Sequence, residues 1–374
     1  MTIFITGSAV LIALTIHYLW FLARVNRGLG SLNRPQTTAP DRFVSVIVAA
    51  RNEEKTIRAC VDSILEQDYP KDRYEIIVVD DGSSDGTAAI VSALMDAMPS
   101  VKLITMNGEP GGNKPRAVSA GIEASSGDMI LLTDADCIAG PGWIRSMASR
   151  LSAEFVFVAG PVVEAPSANL LQQLSRLEFL GLIGVSAGLI AMRSPIFCNG
   201  ANIAYTKSAF RQIGGYGDAD HFSDDEALMQ RMHVRIPGSV TFCPDPEALI
   251  TTAAASSLAD LWRQRIRWSS KRGVYEDQRI LAKLIALYFF FVGVLAAATG
   301  ALFFQEILPV LLPVLGMKII AEWFTLRRSA RLFRQSFSIV HLFIAELVHV
   351  PYIVLTAFQG QIGSLRWKGA SVRS

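Results

Sequence analysis

The segment MILLTDADC, residues 129–137, closes an apolar run with two carboxylates, Asp134 and Asp136, separated by one alanine. Four apolar residues in a row, Met129 to Leu132, read as a buried strand. On an extended chain alternate side chains share a face, so Asp134 and Asp136 point the same way, and their repulsion is unfavourable unless a positive charge lies between them. A hard divalent cation, Mg2+ or Mn2+, is the usual remedy. A second acidic pair, Asp80 and Asp81, follows the apolar run of YEIIVVD, and a third, Asp224 and Asp225, stands in SDDEAL.

The chain that must hold these groups has 374 residues, 51% of them hydrophobic and 18% charged, which is too apolar for an ordinary soluble protein and implies a membrane. A net charge of +2, with no basic stripe interleaved with aromatics, argues against nucleic acid as a partner. Cys60, Cys137, Cys198 and Cys243 are scattered with no CxxC pair, so they read as buried thiols of a reducing compartment. Residues 3–23, IFITGSAVLIALTIHYLWFLA, are long enough to cross a bilayer as a helix. Arg24, Arg27 and Arg34 follow that run rather than precede it, so it reads as an anchor (1–24) with the N-terminus outside, and Tyr18 and Trp20 fall where an aromatic belt would. A linker over 25–42 and a cytoplasmic domain over 43–277 come next. The region 278–374 holds three more apolar segments, with the basic RRSARLFR between the last two. Three full crossings there would put Arg366, Lys368 and Arg373 outside, so the last segment, with Glu346, His349 and Pro351, is a candidate for a re-entrant or interfacial path.

Within 43–277, VSVIVAA, YEIIVVD, VKLITM and MILLTDA read as strands. Helical periods lie between them; Ile57, Cys60, Val61 and Ile64 set the first. Such alternation predicts an α/β fold, a mostly parallel sheet with helices on both faces whose ligands bind beyond the carboxyl ends of the strands. Asp80/Asp81 and Asp134/Asp136 sit at two such ends and should meet in one crevice. AARNEEKT follows the first strand in place of G-x-G-x-x-G, and no G-x-x-x-x-G-K-[ST] occurs, which disfavours a dehydrogenase or a P-loop enzyme.

Six pieces, SVIVAARNEEKTI, IIVVDDGSSDGT, GGNKPRAVSAGIEASSGDMILLTDADC, FCNGANIAYTKSAF, SDDEAL and QRIRW, resemble in that order the membrane-bound branch of the family 2 glycosyltransferases. The resemblance spans residues 44–268 and implies the GT-A fold, Rossmann-like, flanked here by N- and C-terminal transmembrane helices. It implies that Asp80 and Asp81 contact the base and ribose of a nucleotide sugar, though DDGSSDG also suits a turn. Lys114 matches a lysine of G-K-x-x-A, with Ser119 where asparagine is commoner. Asp134 and Asp136 match the metal-binding D-x-D, with Asp136 as the direct ligand. In SDDEAL, Asp225 takes the place of the catalytic base and Asp224 stands beside it, while Ser223 would also cap a helix. QRIRW supplies Gln264, Arg267 and Trp268 on one face of a helix starting near Ser257 and Asp260.

The implied reaction is inverting transfer of a hexose from a nucleotide sugar, UDP being the common nucleotide of that family, to a hydroxyl. Two stretches read as amphipathic helices: 168–191, whose Leu170, Leu174, Leu177, Gly181 face grows more apolar toward its end, and 257–273, which would lie in the headgroup plane with Arg263, Arg265, Lys271 and Arg272 against anionic lipid. They point to a lipid acceptor at the cytoplasmic face of the inner membrane. A processive polysaccharide synthase uses the same motifs, and a non-catalytic sugar-nucleotide sensor would lack one of Asp136, Asp225, Gln264, Arg267 and Trp268, all of which are present.

Overall fold

The computed structural model describes residues 2–32, 42–107, 112–217, 224–270, 275, 277–362, 365–367 and 370–372. Arg34, Ser223, Lys271, Arg272, Lys368, Arg373 and the side chains of Asp224 and Arg366 lie outside the described residues. The elements run α1 (Thr2–Ser31), β1 (Val44–Ala50), α2 (Ile57–Leu65), β2 (Tyr74–Asp80), α3 (Thr87–Ala97), β3 (Val101–Thr105), α4 (Lys114–Ala124), β4 (Met129–Asp134), β5 (Cys137–Ala139) and α5 (Trp143–Arg150). There follow β6 (Phe157–Ala159), β7 (Val162–Glu164), α6 (Leu170–Ala191), β8 (Ile203–Thr206), α7 (Lys207–Gln212), α8 (Asp224–Arg235), β9 (Val240–Phe242), β10 (Ile250–Thr252) and α9 (Leu258–Ser269). Three long helices come last: α10 (Gln278–Ala301), α11 (Leu308–Leu332) and α12 (Ile339–Ile362).

The Val- and Ile-rich runs of β1 and β2 are buried almost throughout, as a strand covered on both faces requires. They form the middle of a seven-stranded sheet of order β3-β2-β1-β4-β8-β6-β9, in which β3, β2, β1 and β4 are parallel and β8 runs against β4. Register places the chemistry: Ala50 pairs with Asp80 and Ala49 with Asp134, so the two acidic strand ends flank the end of β1. Helix α4 packs on β1 and β2 at Gly121, where a Cβ would come 2.7 Å from Ile47 Cγ2. The loops after β1 and β2 are fastened together: Asn52, with φ 56°, accepts from Ser84 N–H at 2.8 Å and donates its own N–H to Ser83 Oγ at 2.9 Å. A smaller sheet, β5-β10-β7, lies beyond β4. The four cysteines are free and buried.

Among the described residues, five helices are long and apolar enough to cross a membrane: α1, α6, α10, α11 and α12. Three expectations change. The first helix runs to Ser31, through Arg24 and Arg27, so the linker begins later than residue 25. Helix α6 does not keep a Leu170–Gly181 face: Leu170 is exposed, and the buried face carries Leu177, Leu180, Gly184 and Gly188 against α1 and α11. Its Gly188 meets Gly28 of α1 backbone to backbone, where a Cβ on Gly28 would lie 1.9 Å from the Gly188 carbonyl oxygen. Small residues permit that crossing, and they are the reason the helix joins the bundle. Tyr18 is likewise no belt residue; it points inward, stacks on Phe290 at 4.3 Å and donates to Glu322, whereas Trp20 stays exposed. The last apolar segment is a continuous helix despite Pro351, and its second half packs on α9, with Trp262 Nε1 donating to Gln359 and Ser269 Oγ to the Thr356 carbonyl.

A charged cluster holds the bundle. Lys318 of α11 is fully buried and reaches Glu322 at 2.9 Å and Glu346 of α12 at 2.6 Å. Because removing one partner leaves the other charge unpaired in the interior, Lys318→Met is expected to cost about 3–5 kcal/mol. Thermal unfolding in detergent checks this; an unshifted midpoint would show that the cluster contributes no net stability.

Candidate functional site

Beyond the carboxyl ends of β1, β2 and β4 lies a cavity of about 1420 Å³. Asp81, Lys114, Asp134, Asp136, Asp225, Gln264, Arg267 and Trp268, assigned above to one site although far apart in sequence, all line it. Asp80 does not. It is buried behind the wall, with Oδ1 accepting the Ser83 N–H at 3.3 Å, so it shapes the turn while Asp81 faces the cavity. Asp81 Oδ2 accepts the Asn113 N–H, and Arg51 NH1 donates to the Asp81 carbonyl at 2.6 Å.

Helix α4 starts at Lys114, with Asn113 as its cap accepting from Arg116 N–H at 3.0 Å. That start aims the lysine across the cavity. Its Nζ contacts Asp134 Oδ1 at 2.7 Å and Asp225 Oδ2 at 3.4 Å, joining the strand-end site to the start of α8. Asp225 Oδ1 is buried and has no hydrogen-bond partner among the described residues. Gly200 admits this carboxylate, because a Cβ there would come 1.5 Å from Asp225 Oδ2. Asn202 anchors the same NGAN loop, accepting from Trp143 Nε1 and donating to the Pro161 and Ala248 carbonyls, each at 2.8 Å.

Asp134 and Asp136 come together by a turn rather than by strand alternation, since β4 stops at Asp134 and Ala135–Asp136 turn into β5. One ligand atom from each of Asp134, Asp136 and Cys137 lies within 4.8 Å of the others. Desolvation within the cavity pushes the Asp136 carboxyl above the ordinary carboxylate range, and Asp134 and Glu53 add to this, although part of its surface is open to solvent. Burial also raises the Cys137 thiol, and sulfur is a soft donor poorly matched to a hard cation. Two hard carboxylates remain, a donor set that fits Mg2+ or Mn2+. Lys114 already occupies one oxygen of Asp134, so Asp136 is the more open of the two.

Gln264, Arg267 and Trp268 stand on α9, whose cap Ser257 accepts from Asp260 N–H at 3.2 Å. Arg265, between them in sequence, turns away from the cavity into a buried pair with Glu178 of α6. Sequence reasoning missed Arg51, Glu178 and Tyr275, and it set Arg265 against anionic lipid, whereas Arg265 is buried beside Glu178 because an enclosed guanidinium needs a counter-charge; Tyr275 also lines the cavity and donates to Glu226. A lone glutamate inside an apolar helix was the available signal for Glu178. At its other end the cavity is apolar, lined by Leu281, Leu284, Ile285 and Phe289 of α10, Phe179 of α6 and Phe358 of α12.

Residues 45–214 match the family model described as Glycosyl transferase family 2. Over 244 residues the chain is 29% identical to a Beta-monoglucosyldiacylglycerol synthase of Synechocystis sp., covering 62% of this chain and 48% of that protein. It is 26% identical over 235 residues to a Poly-beta-1,6-N-acetyl-D-glucosamine synthase of Staphylococcus epidermidis, covering 60% of this chain and 53% of that protein. The match thus spans about half the length of these relatives. Among solved structures, the mannosyltransferase PcManGT from Pyrobaculum calidifontis, in complex with GDP-Man and Mn2+, superposes with a TM-score of 0.56 at 20% identity, covering 95% of this chain and 98% of that one. At that identity the likeness concerns the fold.

Proposed function

We propose, from the premise that this chain belongs to glycosyl transferase family 2 through residues 45–214, that it moves a sugar from a nucleoside-diphosphate sugar to a hydroxyl of a membrane lipid, with inversion at the anomeric carbon. The observation that carries this reading is a single cavity with two characters: a carboxylate end at Asp81, Asp136 and Asp225, and an apolar end built by membrane-type helices. A nucleotide sugar suits the first and a lipid tail the second.

In the proposed reaction the acceptor oxygen forms a bond to the anomeric carbon as the bond to the diphosphate oxygen breaks, and the electron pair leaves with the nucleoside diphosphate. Asp225 Oδ1 receives the hydroxyl proton. Its buried position, with no hydrogen-bond partner among the described residues, suits that task, and Lys114 with Gly200 fixes the carboxylate from its other oxygen. Arg267 and Gln264 face the leaving diphosphate from α9, and Asp81 faces the nucleoside. Asp136 and Asp134 would hold Mg2+ or Mn2+, which when bound supplies positive charge to the diphosphate oxygens. Asp224 is assigned beside the base by sequence position alone.

The proposed domain plan keeps the sheet domain on the cytoplasmic side of a cell (inner) membrane. In support, α1 and α11 end side by side, with Asn26 Nδ2 donating to Thr325 Oγ1 at 2.7 Å, which gathers Arg24, Arg27, Arg327, Arg328 and Arg331 at one end of the bundle. The Phe242–Phe333 ring contact at 5.9 Å puts that end against the sheet.

Transfer assayed in detergent extract with labelled UDP- and GDP-sugars, with and without added native lipid, tests the acceptor. A labelled product carrying one sugar and soluble in organic solvent is expected, with a rate that falls on delipidation. A long aqueous polymer would instead favour a processive synthase, the second reading, which the likeness to a poly-N-acetylglucosamine synthase supports.

A further inference from the structure

Arg265 is the one residue of QRIRW, apart from Ile266, that does not line the cavity, yet it touches two residues that do. Its Nε and NH2 donate to Glu178 Oε1 and Oε2 at 3.1 and 3.0 Å, a two-pronged pair between α9 and the membrane-type helix α6. Its NH1 donates to Gln264 Oε1 at 2.6 Å, and its guanidinium carbon lies 4.2 Å from the centre of the Trp268 ring. The Arg265 side chain is only 5% exposed. The next carboxyl, Glu164, is engaged by Ser175 Oγ at 2.9 Å, which leaves Glu178 as the direct counter-charge.

The chemistry of these groups dictates an orientation. A guanidinium only donates, so the amide oxygen of Gln264 must face Arg265, and its NH2 is turned outward. Because Gln264 lines the cavity, that NH2 is a donor presented to whatever anion or hydroxyl occupies it. A fork-shaped pair also resists rotation better than a point charge. Phe179, next to Glu178 on α6, also packs on Trp268, with ring centres 5.9 Å apart.

We infer that Glu178, acting through Arg265, is a positioning residue that sets the Gln264 amide for the nucleoside-diphosphate part of the donor, and so ties donor binding to the seating of α6. This rests on the glycosyltransferase reading. Glu178→Gln keeps the shape and removes the charge; it is expected to raise the donor KM and the Kd for UDP or GDP about tenfold, with kcat changed less. Glu178→Asp, which restores the charge, should recover most of the affinity and also serves if the glutamine variant does not fold. In a Gln264→Ala background the Glu178→Gln change should shift Kd less than about twofold, because the group it positions is gone. Calorimetry with UDP and GDP, with Mg2+ or Mn2+ present, on the full chain in detergent reads all five proteins, wild type and Gln264→Ala included. A wild type that binds neither nucleotide overturns the glycosyltransferase reading itself. Wild-type binding with unchanged affinity in Glu178→Gln, or a full tenfold loss persisting without Gln264, overturns the positioning role alone.

Discussion

Replacing Asp225 with asparagine is expected to lower transfer by at least ~10²-fold, the scale of a positioned general base. The amide has nearly the same shape, so it still fits beside Gly200 and can accept from Lys114, but it cannot take a proton at the position of Oδ1. Binding of the nucleoside diphosphate should change little, since the loss falls on the chemical step rather than on donor contacts. Initial rates at saturating donor, set beside calorimetric affinities, separate the two. The same change at Asp224 is expected to have the smaller effect on rate. Near-normal turnover in Asp225→Asn would remove Asp225 from the mechanism.

Asp136→Ala is expected to abolish metal-dependent binding of the nucleotide sugar. Cys137 offers only soft sulfur and Lys114 shares Asp134, so no second strong ligand is left for a hard cation once Asp136 is lost. In the wild type, EDTA should produce the same loss, and added Mg2+ or Mn2+ should reverse it. If the wild type binds the donor equally well with and without EDTA, the two carboxylates do not serve a metal.

Much of this arrangement was legible in the linear chain. Runs such as VSVIVAA and YEIIVVD are short, β-branched and bounded by polar residues, and all four strands predicted from such runs pair in one sheet. The cap at Ser257 and the shared face of Gln264, Arg267 and Trp268 depend only on neighbours within one helix, so spacing alone specified them. Local rules failed where a short turn replaced a strand: Asp134 and Asp136 converge because the chain reverses at Ala135–Asp136. They failed again at α6, whose first half carries Gln172, Gln173, Arg176 and Glu178 and so hid a helix that packs like its apolar neighbours.

By itself, then, the sequence determined which elements form and which polar residues end them, because helix and strand periods and caps are set by residues a few positions apart. Tertiary structure decided which of those residues meet. Lys114 reaches Asp225 across 111 positions because the register of β1, β2 and β4 and the close seat of α4 on Gly121 aim it there. Asp81 faces the cavity and Asp80 the wall because the turn at Gly82, with φ 70°, folds one carboxylate back onto Ser83. Arg265 turns from the cavity toward Glu178, and Lys318 toward Glu346, because a charge shut away from water is tolerable only beside its counter-charge, and that partner lies on another helix.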